Sequence, residues 1–383
     1  MILLQKRKFS LPSKTIYLNC SYMSPLLKSV EDAGVAGIKK KRNPGALPPS
    51  DFFEGTEDLR REFAKLIKAN DPRRIVIIPS SSYGLSTVAN NVRADHTHNI
   101  IVAAEQFPSN VYPWLRLQQE KKLQLKTVSP PDDLKDRGKI WNENILNAID
   151  KNTRVVALGN VHWADGTKFD LREIRKRTNE VGALLIIDGT QSVGALPFDV
   201  SLIQPDALIC AGYKWLLGPY SIGLAYYGNY FNGGKPLEEN WINRKFSEDF
   251  SALVSYEEEY QPGALRYEVG EHSNFILVPM LTAALKQINE WKPENIQEYC
   301  ADITRESIEQ LREAGFWIED EKYRGHHLFG VRLPQDRNVE KIKIQLQKHK
   351  ISISFRGNAL RVSPHLYNSE GDLKKLVRVI TSA

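Results

Sequence analysis

Leu184-Leu185-Ile186-Ile187-Asp188-Gly189-Thr190-Gln191-Ser192 is a short apolar run that ends in a carboxylate, a glycine and polar residues. Lys214 lies 26 residues beyond Asp188, in a second passage of the same kind: Ala207-Leu208-Ile209-Cys210-Ala211-Gly212-Tyr213-Lys214-Trp215-Leu216-Leu217-Gly218-Pro219. Each run is apolar at successive positions rather than at alternate ones. Strands buried on both faces of a parallel sheet read this way. In an open α/β sheet, ligands bind just outside the carboxyl ends of the strands. The two passages therefore place one carboxylate and one lysine at the ligand edge of a parallel sheet.

Five more short runs read as strands, most of them apolar throughout: Ile75 to Ile78, Ile100 to Ala103, Leu123 to Val128, Val155 to Leu158 and Ile222 to Tyr227. Together they predict a mostly parallel, seven-stranded sheet with helices on both faces. Helical patterns fall between them. Leu59, Phe63, Leu66 and Ile67 share one face of a helix that starts near Thr56. Asp170-Leu171-Arg172-Glu173 predicts a capping box, with Asp170 as N-cap and Glu173 reaching back, and Gly182 ends that helix.

From about residue 275 helical patterns dominate. One face joins Ile296, Tyr299, Ile303, Ser307 and Leu311, and others join Val339, Ile342, Leu346 and Leu373, Leu376, Val377, Ile380. Strand candidates between them are His327 to Leu333, Ile351 to Phe355 and Leu360 to Ser363. This reads as a large α/β domain over residues 15–270 and a small C-terminal α+β domain over 271–383, with segment 1–20 packing on the latter.

The chain has 383 residues, 42% hydrophobic and 26% charged, which fits a folded globular protein. Its three cysteines, Cys20, Cys210 and Cys300, form no CxxC pair and no zinc knuckle, so no metal site is expected. Scattered thiols suit a reducing compartment. No apolar run approaches the ~20 residues of a membrane span. The opening MILLQKRKFS puts apolar residues before basic ones, the reverse of a signal peptide. The expectation is a cytoplasmic protein without a membrane partner. The net charge is +6, and the clusters Lys6-Arg7-Lys8 and Lys39-Lys40-Lys41-Arg42 are local and not interleaved with aromatics. No nucleic-acid partner is expected.

A lysine between Ile209-Cys210 and Trp215-Leu216-Leu217 is poorly placed for solvent. Desolvation lowers its pKa and favours the neutral amine that a Schiff-base nucleophile must be. Pyridoxal phosphate (PLP) needs such a lysine, and an acid on its pyridinium nitrogen. Alone, Lys214 reads equally as a snorkelling lysine and Asp188 as a turn residue. The pair, in this order, is far more specific. Ser80-Ser81-Ser82-Tyr83-Gly84 follows the first strand of the sheet and opens a helix, either as a phosphate cradle or as an ordinary N-cap. A nucleotide-binding fold would need a glycine-rich turn there, and Ile78-Pro79-Ser80-Ser81-Ser82 has neither GxGxxG nor GxxxxGK[ST].

Asp188-Gly189-Thr190-Gln191-Ser192 and Ala211-Gly212-Tyr213-Lys214, with Gly218-Pro219 beyond, resemble the hallmark segments of fold-type I PLP-dependent transferases. More narrowly they resemble the class V aminotransferase family, which includes cysteine desulfurases, selenocysteine lyases, kynureninases and isopenicillin N epimerase. The resemblance runs from Ile16-Tyr17-Leu18-Asn19 to Leu366-Tyr367-Asn368. It implies PLP as cofactor, Lys214 as the aldimine lysine, Asp188 on the pyridinium and Gln191 near the ring oxygen. It assigns Ser81 and Ser82 to the phosphate.

Phe107-Pro108-Ser109-Asn110-Val111-Tyr112 resembles the kynureninase version of its segment, so Phe107 takes the ring-stacking place where desulfurases have histidine. Tyr213 likewise matches kynureninase and implies a phosphate contact. His162, in Asn160-Val161-His162-Trp163, falls where relatives line the cofactor, and a structural role is equally open. In Arg266-Tyr267-Glu268-Val269-Gly270-Glu271-His272-Ser273, Glu271 stands where threonine is usual. Ser273 is then the substitute that reaches the phosphate of a neighbouring subunit. Arg361 matches the arginine that binds the substrate α-carboxylate, and Arg356 is a second candidate. The family implies a homodimer.

The resemblance thus implies an enzyme that transforms an amino-acid substrate through a Lys-bound aldimine and a Cα carbanion. An aminotransferase or lyase is the first reading. Ile353-Ser354-Phe355-Arg356-Gly357-Asn358-Ala359-Leu360 holds no cysteine where desulfurases carry their nucleophile, so a typical cysteine desulfurase is not expected. Cys20 remains a thiol candidate by position. A kynureninase-like hydrolase and an epimerase stay open within the family. A binding or scaffold protein that keeps the fold without turnover is the alternative of another class.

Overall fold

The computed structural model describes residues 2–335, 337–357 and 359–382. The chain runs β1 (Ile16–Tyr17), α1 (Lys28–Lys40), α2 (Glu54–Ile67), β2 (Ile75–Ile78), α3 (Ser81–Asn91), β3 (Asn99–Ala103), α4 (Tyr112–Lys121) and β4 (Gln124–Val128). It continues through α5 (Arg137–Ala148), β5 (Thr153–Gly159), α6 (Leu171–Val181), β6 (Leu184–Asp188), α7 (Val200–Ile203), β7 (Ala207–Ala211) and β8 (Gly223–Tyr227). The last third contains α8 (Leu277–Trp291), α9 (Pro293–Glu313), β9 (Phe329–Arg332), α10 (Val339–Lys348), β10 (Ile351–Ser352), β11 (Ser354–Arg356), β12 (Ala359–Val362) and α11 (Glu370–Thr381).

Among the described residues, seven strands form one sheet in the order β2-β8-β7-β6-β5-β3-β4. Every pairing from β7 to β4 is parallel, and β8 alone runs against its neighbours β2 and β7. The apolar runs explain the burial. Ile75 and Ile77 face one core with α2, α5 and α6, while Val76 and Ile78 face a second core with α3 and α4. Side chains alternate across a strand, so a sheet covered on both faces needs apolar residues at every position. The edge strand β4 differs: Gln124 and Thr127 are exposed.

Asp170 caps α6 as expected, accepting the N–H groups of Arg172 at 3.1 Å and Glu173 at 3.2 Å. The return contact from Glu173 is replaced. The Asp170 N–H donates to Asn142 Oδ1 at 2.9 Å, so that donor is already satisfied. The full capping box lies instead at Ser369 and Asp372, at the start of α11.

A smaller antiparallel sheet, β11-β12-β9, shares a third core with α9, α10 and α11. The expected strand from Ile351 to Phe355 is split in two. Ile351 and Ser352 pair in parallel with β1, and Ser354 onward turns to pair with β12. Ile16 and Leu18 join this third core. Helix α9 spans two cores: Cys300 and Ile296 belong to that of the large sheet, Ile303 and Leu311 to the third. Asn358 lies outside the described residues. No helix among the described residues is long and apolar enough to cross a membrane.

Candidate active site

Asp188 is the last residue of β6, level with Gly159 on β5 and Ile209 on β7. Its Oδ1 accepts the Thr190 N–H at 3.0 Å. Burial raises its pKa, while Thr190 and the charge of Lys214 act against that rise. The turn after it needs glycine: a Cβ on Gly189 would lie 2.7 Å from both Cys210 Sγ and Val193 Cγ2.

Lys214 follows β7 on a tethered turn. The Gly212 N–H donates to the Ile222 carbonyl at 2.9 Å, and the Gly218 N–H to the Gly212 carbonyl at 2.9 Å. A Cβ on Gly212 would approach Ile222 O to 2.5 Å, so the close passage requires glycine. The amine Nζ sits 5.2 Å from the ring centre of Phe107 and 5.4 Å from that of Tyr213. Lys214 is 6% exposed, and its Nζ makes no hydrogen bond or ion pair with the described residues. Burial pushes its pKa down to about 8; Asp188 opposes this, and Arg361 and Arg356 push the same way.

These groups line one cavity of about 330 Å³. Small-molecule sites begin near this size, at about 300 Å³. Of the residues singled out from the sequence, Ser81, Ser82, Phe107, His162, Asp188, Gln191, Tyr213 and Lys214 meet there. Ser80 takes the ordinary capping role, accepting the Tyr83 N–H at 3.2 Å. Ser81 and Ser82 are then the first residues of α3, where N–H groups have no partner within the helix. Phe107 is 37% exposed and meets Trp163 edge-on at 5.4 Å. The Tyr213 ring lies 4.7 Å from that of Tyr220, and burial pushes its phenol up to about 12.

Two lining residues are already committed. His162 has Nδ1 3.2 Å from Asp165 Oδ1 and Nε2 3.1 Å from the Ala104 carbonyl, leaving no ring nitrogen free. Gln191 donates Nε2–H to the Ser21 carbonyl at 3.1 Å and accepts the Trp215 indole N–H at 3.0 Å. Trp163 directs its own indole N–H to the Glu105 carbonyl at 2.6 Å.

Arg361 and Arg356 are not part of the cavity lining. Both lie against Trp163, which is: their guanidinium carbons are 5.8 Å and 5.0 Å from its ring centre. Arg361 donates Nη1–H to the Trp163 carbonyl at 2.7 Å, and burial pushes its pKa down to about 9. Ser273 is not brought to the cavity either. It lines a separate cleft with residues of α1, α2 and α8. Cys20 is fully buried, and burial pushes its thiol up to about 12, so it is no nucleophile in this fold.

Thr190 was missed by sequence reasoning. Its Oγ1 lies 3.2 Å from Ser81 Oγ and accepts the Ala211 N–H at 3.1 Å, tying together the ends of β6, β7 and α3. A hydroxyl two residues after the strand-end carboxylate was its signal. Gln106 was missed too. Its Oε1 accepts the Gly159 N–H at 3.1 Å, and nothing in its local sequence marks it.

The orphaned, desolvated Lys214 amine and the half-used Asp188 carboxylate fit the donor set that PLP requires. Comparison with known proteins gives the same answer. Over the whole chain, an uncharacterized aminotransferase, YcbU, of Bacillus subtilis is 26% identical, covering 97% of this chain and 95% of its own. A probable cysteine desulfurase of Methanothermobacter thermautotrophicus is 25% identical, covering 97% and 95%. In fold, the apo cysteine desulfurase of Thermococcus onnurineus superposes with a TM-score of 0.83 at 21% identity, covering 100% of this chain and 98% of its own. A structure of the cystine C–S lyase C-DES with cysteine persulfide gives 0.84 at 17% identity, covering 96% and 98%. Residues 48–379 match the family described as Aminotransferase class-V. The chain is a PLP-dependent enzyme that belongs to the aminotransferase class-V family.

Proposed function

We propose that this enzyme breaks or rearranges bonds at Cα of an amino-acid substrate as a lyase or aminotransferase, with Lys214 as cofactor anchor and proton carrier. The observation that carries the reading is the Lys214 amine, buried, with no polar partner among the described residues, and in one cavity with Asp188. When bound, PLP supplies a ring that holds the electron pair released at substrate Cα. Asp188 is the group that keeps the ring nitrogen protonated. The open N-terminal turn of α3, with Ser81 and Ser82, holds the phosphate, and Phe107 offers its exposed ring for stacking.

A neutral Lys214 amine takes the proton from Cα onto Nζ and returns it later. With a pKa near 8, a substantial fraction is neutral near physiological pH. Arg361 orients the substrate carboxylate from beside Trp163, with Arg356 as the second substrate-binding arginine. Gln191 and His162 act as positioning residues, because their polar atoms are used by the protein. The absence of cysteine between Ile353 and Leu360, and the burial of Cys20, speak against persulfide-forming desulfuration. The division near residue 270, the homodimer and the trans contact of Ser273 belong to the same proposal.

The test is a visible spectrum of the purified protein before and after borohydride, with mass mapping of the reduced adduct. Phosphopyridoxyl mass on Lys214 supports the assignment. A protein that cannot be reconstituted with PLP, or an adduct on another lysine, overturns it.

A further inference from the structure

Arg361 and Arg356, like Arg324 and Arg266, form no ion pair among the described residues, and both lie against Trp163 beside the Lys214 cavity. Arg60 is paired with Glu268 at 2.5 Å, and Arg137 with Asp165 at 2.9 Å. Arg361 gives Nη1–H to the Trp163 carbonyl and Nη2–H to Ser354 Oγ at 3.4 Å, and Arg356 gives Nη1–H to the Phe355 carbonyl at 2.7 Å. The Nε atoms of both are buried without a partner among the described residues. Burying a cation without a counter-charge is costly, and two side by side cost more. Contact with the Trp163 face offsets only part of this.

A second observation concerns space. On the far side of Trp163 lies a cleft of about 720 Å³ that shares Trp163 and Gln106 with the Lys214 cavity. Arg356 lines that cleft. Its carboxylates are otherwise placed: Asp165 is held by Arg137 and His162, and Glu105 and Asp132 are exposed and unpaired with Arg356. A single α-carboxylate can neutralise one guanidinium. The other remains uncompensated, in the cleft that adjoins the Lys214 cavity at Trp163.

We infer that the substrate carries a second anionic group on its side chain, of the carboxylate or sulfinate kind, and that Arg356 is the specificity residue that binds it. This rests on the reading of the site as one for amino acids. A guanidinium without a counter-charge suits a charge-assisted contact with such a group.

The test uses the holoenzyme and probes without an amine. Succinate and butyrate have the same carbon count, and they differ in the second carboxylate. Calorimetric titration should find succinate at least about tenfold tighter, in line with a charge-assisted contact. In Arg356→Gln that advantage should shrink to about twofold or less, with butyrate little changed. Equal binding of the two acids by the wild type overturns the inference, whether or not the variant folds. So does an advantage that survives in Arg356→Gln. Aspartate and cysteine sulfinate should shift the visible spectrum at lower concentration than alanine or cysteine, and the reverse order counts against the inference. If no amino acid shifts the spectrum and borohydride leaves Lys214 unmodified, the reading of Lys214 fails, while the succinate-to-butyrate ratio still decides the role of Arg356.

Discussion

Trp215 donates its indole N–H to Gln191 Oε1 at 3.0 Å, and the same glutamine reaches Ser21 with its amide nitrogen. Three segments distant in sequence thus meet on one amide beside the cavity floor. Gln191→Ala leaves a buried indole N–H without a partner. The expected loss of stability is about 1–3 kcal/mol, read from urea unfolding midpoints. A loss below about 0.5 kcal/mol would mean that water replaces the amide fully.

Lys214 should react as an amine of unusual acidity. In protein stripped of cofactor, labelling by an acylating reagent should have its midpoint near pH 8 at Lys214, against about 10.4 for exposed lysines. Mass spectrometry of digests across a pH series measures this. A midpoint above pH 10 would show that desolvation does not govern the group.

Glu319 and Asp165 should titrate with opposite signs. Burial pushes Glu319 up to about 7 from its ordinary 4.5. The folded state then keeps a proton that the unfolded state has lost, so stability falls as pH rises from 4.5 to 7. Glu319→Gln should flatten that decline and be the more stable form at pH 8 in thermal melts.

Burial alone would raise the Asp165 carboxyl, but the His162 hydrogen bond and the His162 and Arg137 charges hold it well below the carboxylate range. Its contribution is present above about pH 4 and lost as pH falls further. Asp165→Asn should unfold more readily at neutral pH by about 3–5 kcal/mol, since Arg137 loses its partner. Its acid-induced loss should be shallower than that of the wild type.

All three cysteines are buried, and burial raises each thiol. A disulfide reagent should therefore titrate none in the native enzyme and three after denaturation. Rapid modification of Cys20 in the native state would contradict its burial.

Much of this architecture could be read before folding was considered. The seven runs became the seven strands of the sheet, and in all but the edge strand β4 burial on both faces leaves little other composition available. Lys214 and Asp188 were legible for a related reason: a charged group directly after such a run must lie at a strand end. Other features depend on partners remote in sequence. Nothing near Ile351 announces that Ser352 pairs with Tyr17 while Ser354 pairs with Arg361. The amide of Gln191 reads locally like a cofactor ligand, and only Trp215 and Ser21 reveal its other use. In the sequence Trp163 is only the neighbour of His162. In three dimensions it is the wall between the cavity and two arginines.

The antiparallel course of β8 has a consequence for motion. Because Ala211 faces Gly223, the segment carrying Lys214 leaves the sheet and re-enters it at one place. The bonds from Gly212 to Ile222 and from Gly218 to Gly212 cinch that excursion at its base. The two bonds hold the excursion short at its base, and a residue inserted between them would have to bulge outward or break one of them. The amine travels only as far as the torsions of its four-carbon stem allow. What a substrate meets in the cavity is then set by side chains such as Phe107 and Trp163, while the lysine stays where the sheet edge holds it.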